Sequence, residues 1–221
     1  MILNLIKPSG ISSHSLVNRV RKITGERRVG HGGTLDPMAS GVLIVGVGRE
    51  STKQLQDILK NTQKEYLATI ELGKVSDTDD AEGDISPSGD VSKLNVRSIN
   101  KALSAFVGEQ MQTPPNYSAI KIRGTPAYKL ARGGKSFVLK KRPINIYKLE
   151  LIGFKPPLII VKATVSSGTY IRSLARDMGN ALGVGGYLKS LTRIRVGNFV
   201  IENGLTLDAL AKEVAVTNTN N

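Results

Sequence analysis

The spacing of apolar residues along the chain predicts both helices and strands. After Ser12-Ser13, apolar residues recur every three or four positions, as on one face of a helix, and residues 96–107 and 171–182 show the same period. Residues 42–47 form an unbroken apolar run typical of a buried strand, whereas residues 65–73 alternate between apolar and polar positions, as in a half-buried strand. The other predicted elements are a short helix between Pro126 and Gly133, strands at about 144–154, 158–166 and 193–201, and a short terminal helix capped by Thr206.

Helices and strands are mixed in this pattern without strict alternation. We therefore expect an α+β fold whose central sheet is mixed or mainly antiparallel and flanked by helices, rather than a doubly wound sheet. A chain of 221 residues is long enough for one sizeable domain and short for two. No apolar run reaches the roughly 20 residues that span a bilayer. The first residues lack the features of a signal peptide, and the chain has no cysteine, so we expect a cytoplasmic protein.

Charge is the most informative bulk property. Lys and Arg total 31 and Asp and Glu total 18, which gives a net charge of +13 and favours a polyanionic partner over a merely basic soluble protein. Residues 111–149 contain nine basic residues and no acidic one, whereas residues 71–93 contain seven acids and two lysines. Aromatic residues are sparse and Trp is absent, so structured RNA held by its phosphates fits better than a general single-stranded ligand.

Three stretches resemble ligand-binding motifs but fail on their spacing. Gly134-Lys135-Ser136 lacks the P-loop glycine at position 129, residues 77–83 lack the calcium-loop pattern at positions 81 and 82, and Gly46-Val47-Gly48 lacks the third dinucleotide-binding glycine at position 51. Because the chain has no cysteine and only His14 and His31, we expect no metal site.

Residues 30–41 combine candidate chemistry with unusual backbone freedom. His31 and Asp36 lie among four glycines, which permit positive φ angles or close approach of a ligand. Pro37 restricts Asp36 to an extended conformation and so limits where its carboxylate points. The residues alone leave two interpretations of Asp36 open, a catalytic carboxylate or a turn residue.

Further motifs, taken in order, make a family resemblance specific. Lys7-Pro8-Ser9-Gly10-Ile11-Ser12-Ser13 and the run from Gly30 to Leu43 resemble the first two signatures of the TruB family of tRNA pseudouridine-55 synthases. The similarity spans about residues 3–199. Later matches, in the family's order, are Lys64-Glu65-Tyr66-Leu67-Ala68, Asp77-Thr78-Asp79-Asp80-Ala81-Glu82-Gly83, Gln112-Thr113-Pro114-Pro115-Asn116-Tyr117-Ser118-Ala119-Ile120-Lys121, Ser166-Ser167-Gly168-Thr169-Tyr170-Ile171-Arg172-Ser173-Leu174-Ala175-Arg176-Asp177 and Leu191-Thr192-Arg193.

The resemblance implies the pseudouridine-synthase fold and an isomerase acting on uridine 55 in the T-loop of tRNA. It assigns Asp36 as the nucleophile that acts on a flipped-out base. The N1–C1′ bond of the uridine breaks, the base turns, and it rejoins the sugar through C5, so no cofactor or metal is required. Asp36 could assist departure of uracil at the sugar or add to the base, and both routes stay open.

The resemblance also assigns a charge partner and a base platform. Arg172 would keep the Asp36 carboxylate ionised in a pocket that excludes water, with Tyr170 beside the pair. If residues 169–172 are extended, Tyr170 and Arg172 project to the same side. The alternative for Arg172 is a solvated helix cation touching phosphate. Tyr66 would stack on the target base, with ordinary core packing as the alternative.

The remaining assignments concern the pocket, the RNA contacts and the floor of the site. Leu191 would line the uracil pocket or simply pack in the core. His31 would fill the space left by the extruded base, or be a loop histidine satisfied by backbone groups. The basic stretch 121–142, with Lys121 and Arg132, would grip the T-arm, whereas the acidic segment 77–84 is expected to be a folded turn. Residues expected to have a structural role near the site are Lys7, Pro8, Gly32 and Gly33.

The short segment after the last motif bears on both the domain organisation and the function. We expect a catalytic domain at 1–203, then a short C-terminal helix and tail at 204–221, frayed from 217, which is too short for the PUA domain of many family members. This favours a stand-alone, monomeric enzyme over a guide-dependent one. The alternative is a tRNA-binding folding chaperone that uses the same surface. A membrane-surface protein would need an amphipathic basic helix with a large apolar face, and none is evident.

Overall fold

The computed structural model describes residues 1–60 and 62–219, with side chains through residue 216. The strands are β1 (Ile2–Lys7), β2 (Val29–Gly32), β3 (Ser40–Val47), β4 (Lys64–Leu72), β5 (Lys74–Ser76), β6 (Ile85–Pro87), β7 (Gly108–Gln112), β8 (Lys121–Ile122), β9 (Thr125–Pro126), β10 (Arg142–Lys155), β11 (Leu158–Val165), β12 (Gly186–Val196) and β13 (Phe199–Val200). The helices are α1 (Ser13–Thr24), α2 (Arg49–Leu59), α3 (Val96–Ser104), α4 (Ala127–Arg132), α5 (Ile171–Ala181), a 3-10 turn (Ile201–Asn203) and α6 (Leu207–Thr219).

The chain folds into two compact units. The first unit comprises residues 1–67 and 191–221, and the second comprises residues 68–190. The boundaries fall within β4 and β12, so each of these strands contributes residues to both units. The domain boundary predicted at residues 203 and 204 is a separate expectation and stays a prediction.

The first unit is built around β3, whose residues from Gly41 to Val47 are all buried. β1 and β2 pair with β3 in antiparallel fashion. β12 pairs in parallel with Ser40 and Gly41, the first two residues of β3. Burial on both faces explains why residues 42–47 form an unbroken apolar run. The sheet is therefore mixed, and the predicted α+β class is confirmed.

The predicted first helix is confirmed by its end signals. Ser12 accepts a hydrogen bond from the Ser15 backbone N–H at 3.0 Å, and Gly25 ends the helix at φ +69°. At the other end of the chain, Thr206 caps α6, as predicted, by accepting from the Ala209 N–H at 3.2 Å. Helix α6 runs to Thr219, into the stretch predicted as a tail, whose last residues Asn220 and Asn221 lie outside the described part of the chain.

Gly41 is essential to the contact between β3 and β12. It adopts φ +103°, and a Cβ atom there would lie 2.2 Å from the Arg193 carbonyl oxygen. We expect Gly41→Ala to lower the free energy of unfolding by about 2–3 kcal/mol, from backbone strain and overpacking together. Urea denaturation measures this. Gly48→Ala is the matched control, because Gly48 has φ +90° with nothing near its Cβ position, so it reports strain without a clash. Equal losses in both variants would contradict the clash.

In the second unit the strands follow the order β4, β11, β10, β7. β10 pairs with β11 and with β7 in antiparallel fashion. The two strands predicted at 144–154 and 158–166 are thus confirmed, and the helix predicted at 171–182 corresponds to α5. The helix predicted at 96–107 ends earlier, at Ser104. The strand predicted at 193–201 instead begins at Gly186, and the chain turns back after Val196 into β13. No described helix is both long enough and apolar enough to cross a bilayer.

A buried carboxylate in the second unit gives its stability a pH dependence. The Glu71 carboxylate accepts from the Tyr187 hydroxyl at 2.9 Å and pairs with Lys189 at 2.7 Å and Lys74 at 2.9 Å. Burial acts to raise the Glu71 pKa, but the bonds from Lys189, Lys74 and Tyr187 outweigh it and lower the pKa to about 2. Because the folded pKa lies below the ordinary value of 4.5, the stabilisation is present above pH 4.5 and lost as pH falls towards 2.

We therefore expect Glu71→Gln to flatten the acid side of the stability profile. Free energies of unfolding between pH 5 and about 2 should fall less steeply in this variant than in the wild type. Glu109→Gln is the control, because Glu109 is an exposed residue of the same unit. An unchanged slope in Glu71→Gln would show that this carboxylate does not carry the effect.

Candidate active site

The loop between β2 and β3 carries Asp36. The Asp36 carbonyl oxygen accepts from the Ala39 N–H at 3.1 Å, which closes a four-residue turn with Pro37 at its second position. The Gly10 N–H donates to the Pro37 carbonyl oxygen at 2.9 Å, so the turn is also tied to the segment after β1. Asp36 itself is half-buried. The turn therefore fixes the backbone at Asp36.

Lys7 supports this turn through hydrogen bonds from its side chain. Its side chain is fully buried, and its ammonium group donates to the carbonyl oxygens of Pro8 at 2.9 Å, Ile11 at 2.7 Å and Pro37 at 3.2 Å. Charge-assisted hydrogen bonds of this kind are stronger than neutral ones and hold the three segments in one arrangement. The geometry supports the predicted bracing role of Lys7, while Pro8 contributes through its carbonyl group.

Two serines hold the residues on either side of Asp36. The Ser13 hydroxyl accepts from the Leu35 N–H and donates to the Leu35 carbonyl oxygen, both at 2.9 Å. The Ser9 hydroxyl donates to the Met38 carbonyl oxygen at 2.8 Å. Leu35 is buried and acts as an apolar anchor. A loop fixed in this way can preorganise the carboxylate that it carries.

Arg193 holds the loop from the opposite end of the chain. It is 1% exposed, and its guanidinium donates to the Val42 carbonyl oxygen at 2.7 Å and to the Gly33 carbonyl oxygen at 2.9 Å. It therefore connects β12 to both ends of the Asp36 loop. Sequence reasoning included Arg193 in a motif without giving it a role. The motif itself, Leu191-Thr192-Arg193, was the available signal.

Close packing explains the glycine at position 32, and a positive φ angle explains the glycine at position 33. A Cβ atom at Gly32 would lie 1.7 Å from a methyl group of Leu59, and Gly33 adopts φ +75°. The predicted structural role of Gly32 and Gly33 thus has a steric basis in each case.

His31 lies in β2 rather than in a loop, opposite Val45 of β3. Burial, followed by the charges of Arg193 and His14, lowers the pKa of its imidazole, so the ring is neutral at pH 7. Its Nδ1 atom is buried without a hydrogen-bond partner among the described residues. This argues against a histidine whose Nδ1 atom is satisfied by backbone groups, and the predicted role of His31 in filling the space of the extruded base stays a prediction.

Tyr66 and Leu191 are both buried in strands. Tyr66 is 6% exposed and points with Ala68 to the buried face of β4. Leu191 is 7% exposed in β12, directly before Thr192, whose hydroxyl lies 3.0 Å from that of Ser40. Burial of this extent fits a pocket lining and core packing equally well. Their assignments to the uracil pocket stay predictions.

Tyr170 and Arg172 lie at the beginning of α5, in the second unit. Tyr170 precedes the helix in an extended conformation, and the Gln112 side chain bonds its N–H at 2.9 Å and its carbonyl oxygen at 3.0 Å. The helix begins at Ile171, so Arg172 is already in the first turn. The condition that residues 169–172 are all extended, on which Tyr170 and Arg172 would project to the same side, is not met, because the Tyr170 carbonyl group accepts the first helical bond from Leu174.

Arg172 is anchored by the acidic segment that the sequence predicted to be a folded turn. Its guanidinium lies 3.3 Å from the Asp80 carboxylate and donates to the carbonyl oxygens of Thr78 at 3.3 Å and Tyr117 at 3.1 Å. The side chain is 8% exposed, which does not fit a solvated helix cation. Asp80 is the partner that sequence reasoning missed. The predicted pairing with Asp36 joins residues of different units and stays a prediction.

A second ion pair lies one helical turn further along α5. Arg176 pairs with Asp79 at 2.7 Å and donates to the Thr113 carbonyl oxygen at 3.0 Å. Burial raises the pKa of the Asp79 carboxyl to about 6, against the opposing effects of the two arginines. Two arginines on one helix face therefore fix two consecutive aspartates of the turn.

The predicted RNA contacts lie in an exposed basic region of the second unit. Lys121 is exposed in β8, and Arg132 ends α4 with its guanidinium 5.8 Å from the centre of the Tyr128 ring. All nine basic residues of the stretch 111–149 are exposed, and we call them the basic surface. They are Lys121, Arg123, Lys129, Arg132, Lys135, Lys140, Lys141, Arg142 and Lys148.

Comparison with family models matches both parts of the chain. Residues 21–171 match the TruB family pseudouridylate synthase N-terminal domain, which includes the Asp36 loop. Residues 172–221 match the tRNA pseudouridylate synthase B C-terminal domain, and this match begins at Arg172. The first match alone covers more than half of the chain.

Curated relatives are similar over nearly the whole chain. A tRNA pseudouridine synthase B of Streptomyces coelicolor is 46% identical over 219 residues, which cover 95% of this chain and 72% of the relative. The enzyme of the same name from Mycobacterium tuberculosis strain H37Rv is 46% identical over 220 residues, covering 98% of this chain and 73% of the relative.

Solved structures show the same fold. A chain of a Cbf5–Nop10–Gar1 complex superposes with a TM-score of 0.77 at 31% identity, covering 99% of this chain and 56% of that chain. An H/ACA RNP bound to a substrate RNA gives a TM-score of 0.73 at 29% identity, covering 99% of this chain and 55% of that chain. This protein thus spans just over half the length of these structural relatives. The matches to both family models and the curated relatives together show that the chain belongs to the TruB family of pseudouridine synthases.

Proposed function

We propose that the protein isomerises uridine to pseudouridine at position 55, in the T-loop of tRNA, with Asp36 as the nucleophile. The observation that carries this proposal is the Asp36 loop, which Lys7, Ser13 and Arg193 fix on three sides while its carboxylate stays half-buried. The curated relatives are named tRNA pseudouridine synthase B, which supports the conversion of uridine to pseudouridine in tRNA.

The chemistry needs the target base outside its stack. Extrusion costs a few kcal/mol, and a neutral His31 ring could occupy the space that the base leaves. Tyr66 would stack on the extruded uracil. Asp36 then acts either at C1′, assisting departure of uracil, or on the base itself. The N1–C1′ bond breaks, a C5–C1′ bond forms, C5 loses its proton and N1 gains one.

In this scheme Arg172 keeps Asp36 ionised and Tyr170 hydrogen-bonds beside the pair. A half-buried carboxylate without a counter-charge would tend to take up a proton, which would make it a poor nucleophile. Atoms and electrons balance within the substrate, so the scheme needs neither a cofactor nor a metal. We propose that one chain acts alone as a monomer, in the cytoplasm where tRNA is found.

RNA binding is assigned to the basic surface. Phosphate contacts from lysine and arginine supply most of the affinity for structured RNA, and Lys121 and Arg132 are exposed and available for them. A tRNA-folding chaperone would need the same surface. It would not need a carboxylate on a loop that Lys7, Ser13 and Arg193 hold in place, so the enzyme is the favoured assignment.

The direct test is incubation with an unmodified T-arm stem-loop, followed by mapping of pseudouridine. We expect conversion of the uridine at position 55, and no conversion in a stem-loop that carries cytidine at that position. Tight binding of the stem-loop without conversion, under conditions where a known family enzyme converts it, would favour the chaperone.

A further inference from the structure

Two cationic side chains of the first unit converge on Gly33. A Cβ atom placed on this glycine would lie 3.5 Å from Nη1 of Arg193 and 3.6 Å from Nζ of Lys64. Both nitrogens therefore approach the same small volume, in front of an exposed glycine three residues before Asp36.

Neither cation has a carboxylate to balance it among the described residues. Arg193 donates to the carbonyl oxygens of Val42 and Gly33, and Lys64 makes no ion pair. The neighbouring Glu65 pairs with Arg195 instead. Like charges in a partly desolvated setting repel each other and are costly to maintain. Burial, followed by the Arg193 charge, accordingly lowers the Lys64 pKa to about 8.

Of these two cations, Lys64 is the one a ligand can reach, because it is half-buried whereas Arg193 is 1% exposed. A cavity of about 620 Å³ lies beside β2 and α2, and its lining includes Gly33, Lys64 and His31. The unpartnered Nδ1 of His31 is a further polar atom in the same region. Uncompensated positive charge in an accessible cavity favours binding of an anion with several acceptor oxygens.

We propose that Lys64 binds one phosphate of the substrate RNA backbone at Gly33, and that the buried Arg193 charge strengthens the positive potential at this site. This rests on the proposed function, and it adds a phosphate site in the first unit to the basic surface of the second. Three extended residues span at most about 10 Å, so the site lies within roughly a nucleotide's length of Asp36. The phosphate is thus assigned to the target uridine or an immediate neighbour.

The test combines two changes, replacement of Lys64 in the protein and replacement of one charged phosphate in the RNA by a neutral group. T-arm stem-loops carry a methylphosphonate at one backbone position at a time around the target uridine, and their affinities are measured for the wild type and Lys64→Gln. In the wild type, one position next to the target should weaken binding about tenfold. In Lys64→Gln, the same substitution should cost nothing further, because the partner is already missing. Lys64→Arg should restore the penalty.

The control is Lys53→Gln, which removes one charge from an exposed residue of α2. Lys64→Gln should reduce the salt dependence of binding by about one phosphate contact, and Lys53→Gln should change it less. The proposal would be overturned if, at every backbone position, the methylphosphonate weakened binding by the same factor in Lys64→Gln as in the wild type. Competition by inorganic phosphate at Lys64 without any coupling to the RNA would also overturn it, because this would indicate a small-anion site. Because these are binding measurements, a wild type that binds but forms no pseudouridine would overturn the proposed function and leave this coupling to be judged separately.

Discussion

Replacing Asp36 by asparagine is expected to lower kcat/KM for pseudouridine formation by at least about 10⁴-fold, the scale of losing a catalytic nucleophile. An amide has nearly the same shape as the carboxylate but cannot act as a nucleophile. The loop should keep its conformation, since its contacts involve backbone groups and the side chains of Lys7, Ser9, Ser13 and Arg193. Affinity for tRNA should therefore change little.

Release of tritium from C5-labelled tRNA measures the activity, and filter binding measures the affinity. Asp208→Asn is the matched control, because Asp208 is exposed in the first turn of α6. Full activity in Asp36→Asn would remove the proposed mechanism. Loss of binding together with activity would indicate that the loop has a structural role in RNA recognition.

Replacing Arg172 by glutamine is expected to lower both the stability of the second unit and the activity. The variant leaves the Asp80 carboxylate, whose side chain is 3% exposed, buried without its counter-charge. Breaking a buried ion pair from one side costs about 3–5 kcal/mol. Arg176→Gln is the matched control on the same helix. Its side chain is 25% exposed, so we expect a loss of about 1 kcal/mol.

A double variant separates the structural role of Arg172 from its proposed chemical role. Arg172→Met with Asp80→Leu removes both buried charges and should recover much of the free energy of unfolding. Pseudouridine formation should stay low, because Asp36 would still lack its proposed counter-charge. A double variant that regained both stability and activity would restrict Arg172 to a structural role.

Local sequence patterns predicted those elements whose burial or ends are determined by residues within the element itself. β4 was predicted within one residue at each end, because Tyr66, Ala68 and Ile70 alternate with more exposed positions. α4 was bracketed by Pro126 and Gly133, which set its ends through their own backbone preferences. In both cases the signal lies within about ten residues of sequence.

The elements that were missed or misplaced lack a regular pattern of apolar residues. α2 was not predicted, because only Ser51 and Leu55 are buried in a helix that is otherwise mostly polar. β12 was predicted too late along the chain, because Lys189 interrupts its apolar pattern. That lysine is explained only by Glu71, a partner 118 positions away. Long-range partners of this kind leave no periodic trace.

The site follows the same rule. The glycines, Asp36 and Pro37 are contiguous, so the loop was predictable from its own composition. Arg193 reaches Gly33 from 160 positions away, and Asp80 is brought to Arg172 by a turn whose geometry no motif spacing encodes. The sequence predicted Asp36 as the nucleophile, and the structure was needed to find what holds its loop and what holds its proposed partner.

The discontinuity of the first unit has a consequence for biosynthesis. The Asp36 loop is braced by Lys7 from the beginning of the chain and by Arg193 from near its end, and Leu205 adds a bridge to Leu5 of β1. A ribosome synthesises the first 67 residues of this unit long before residues 191–210 emerge. The loop therefore acquires these anchors only after residues 191–205 have been synthesised. Until then, the nascent chain carries Asp36 on an incompletely supported loop.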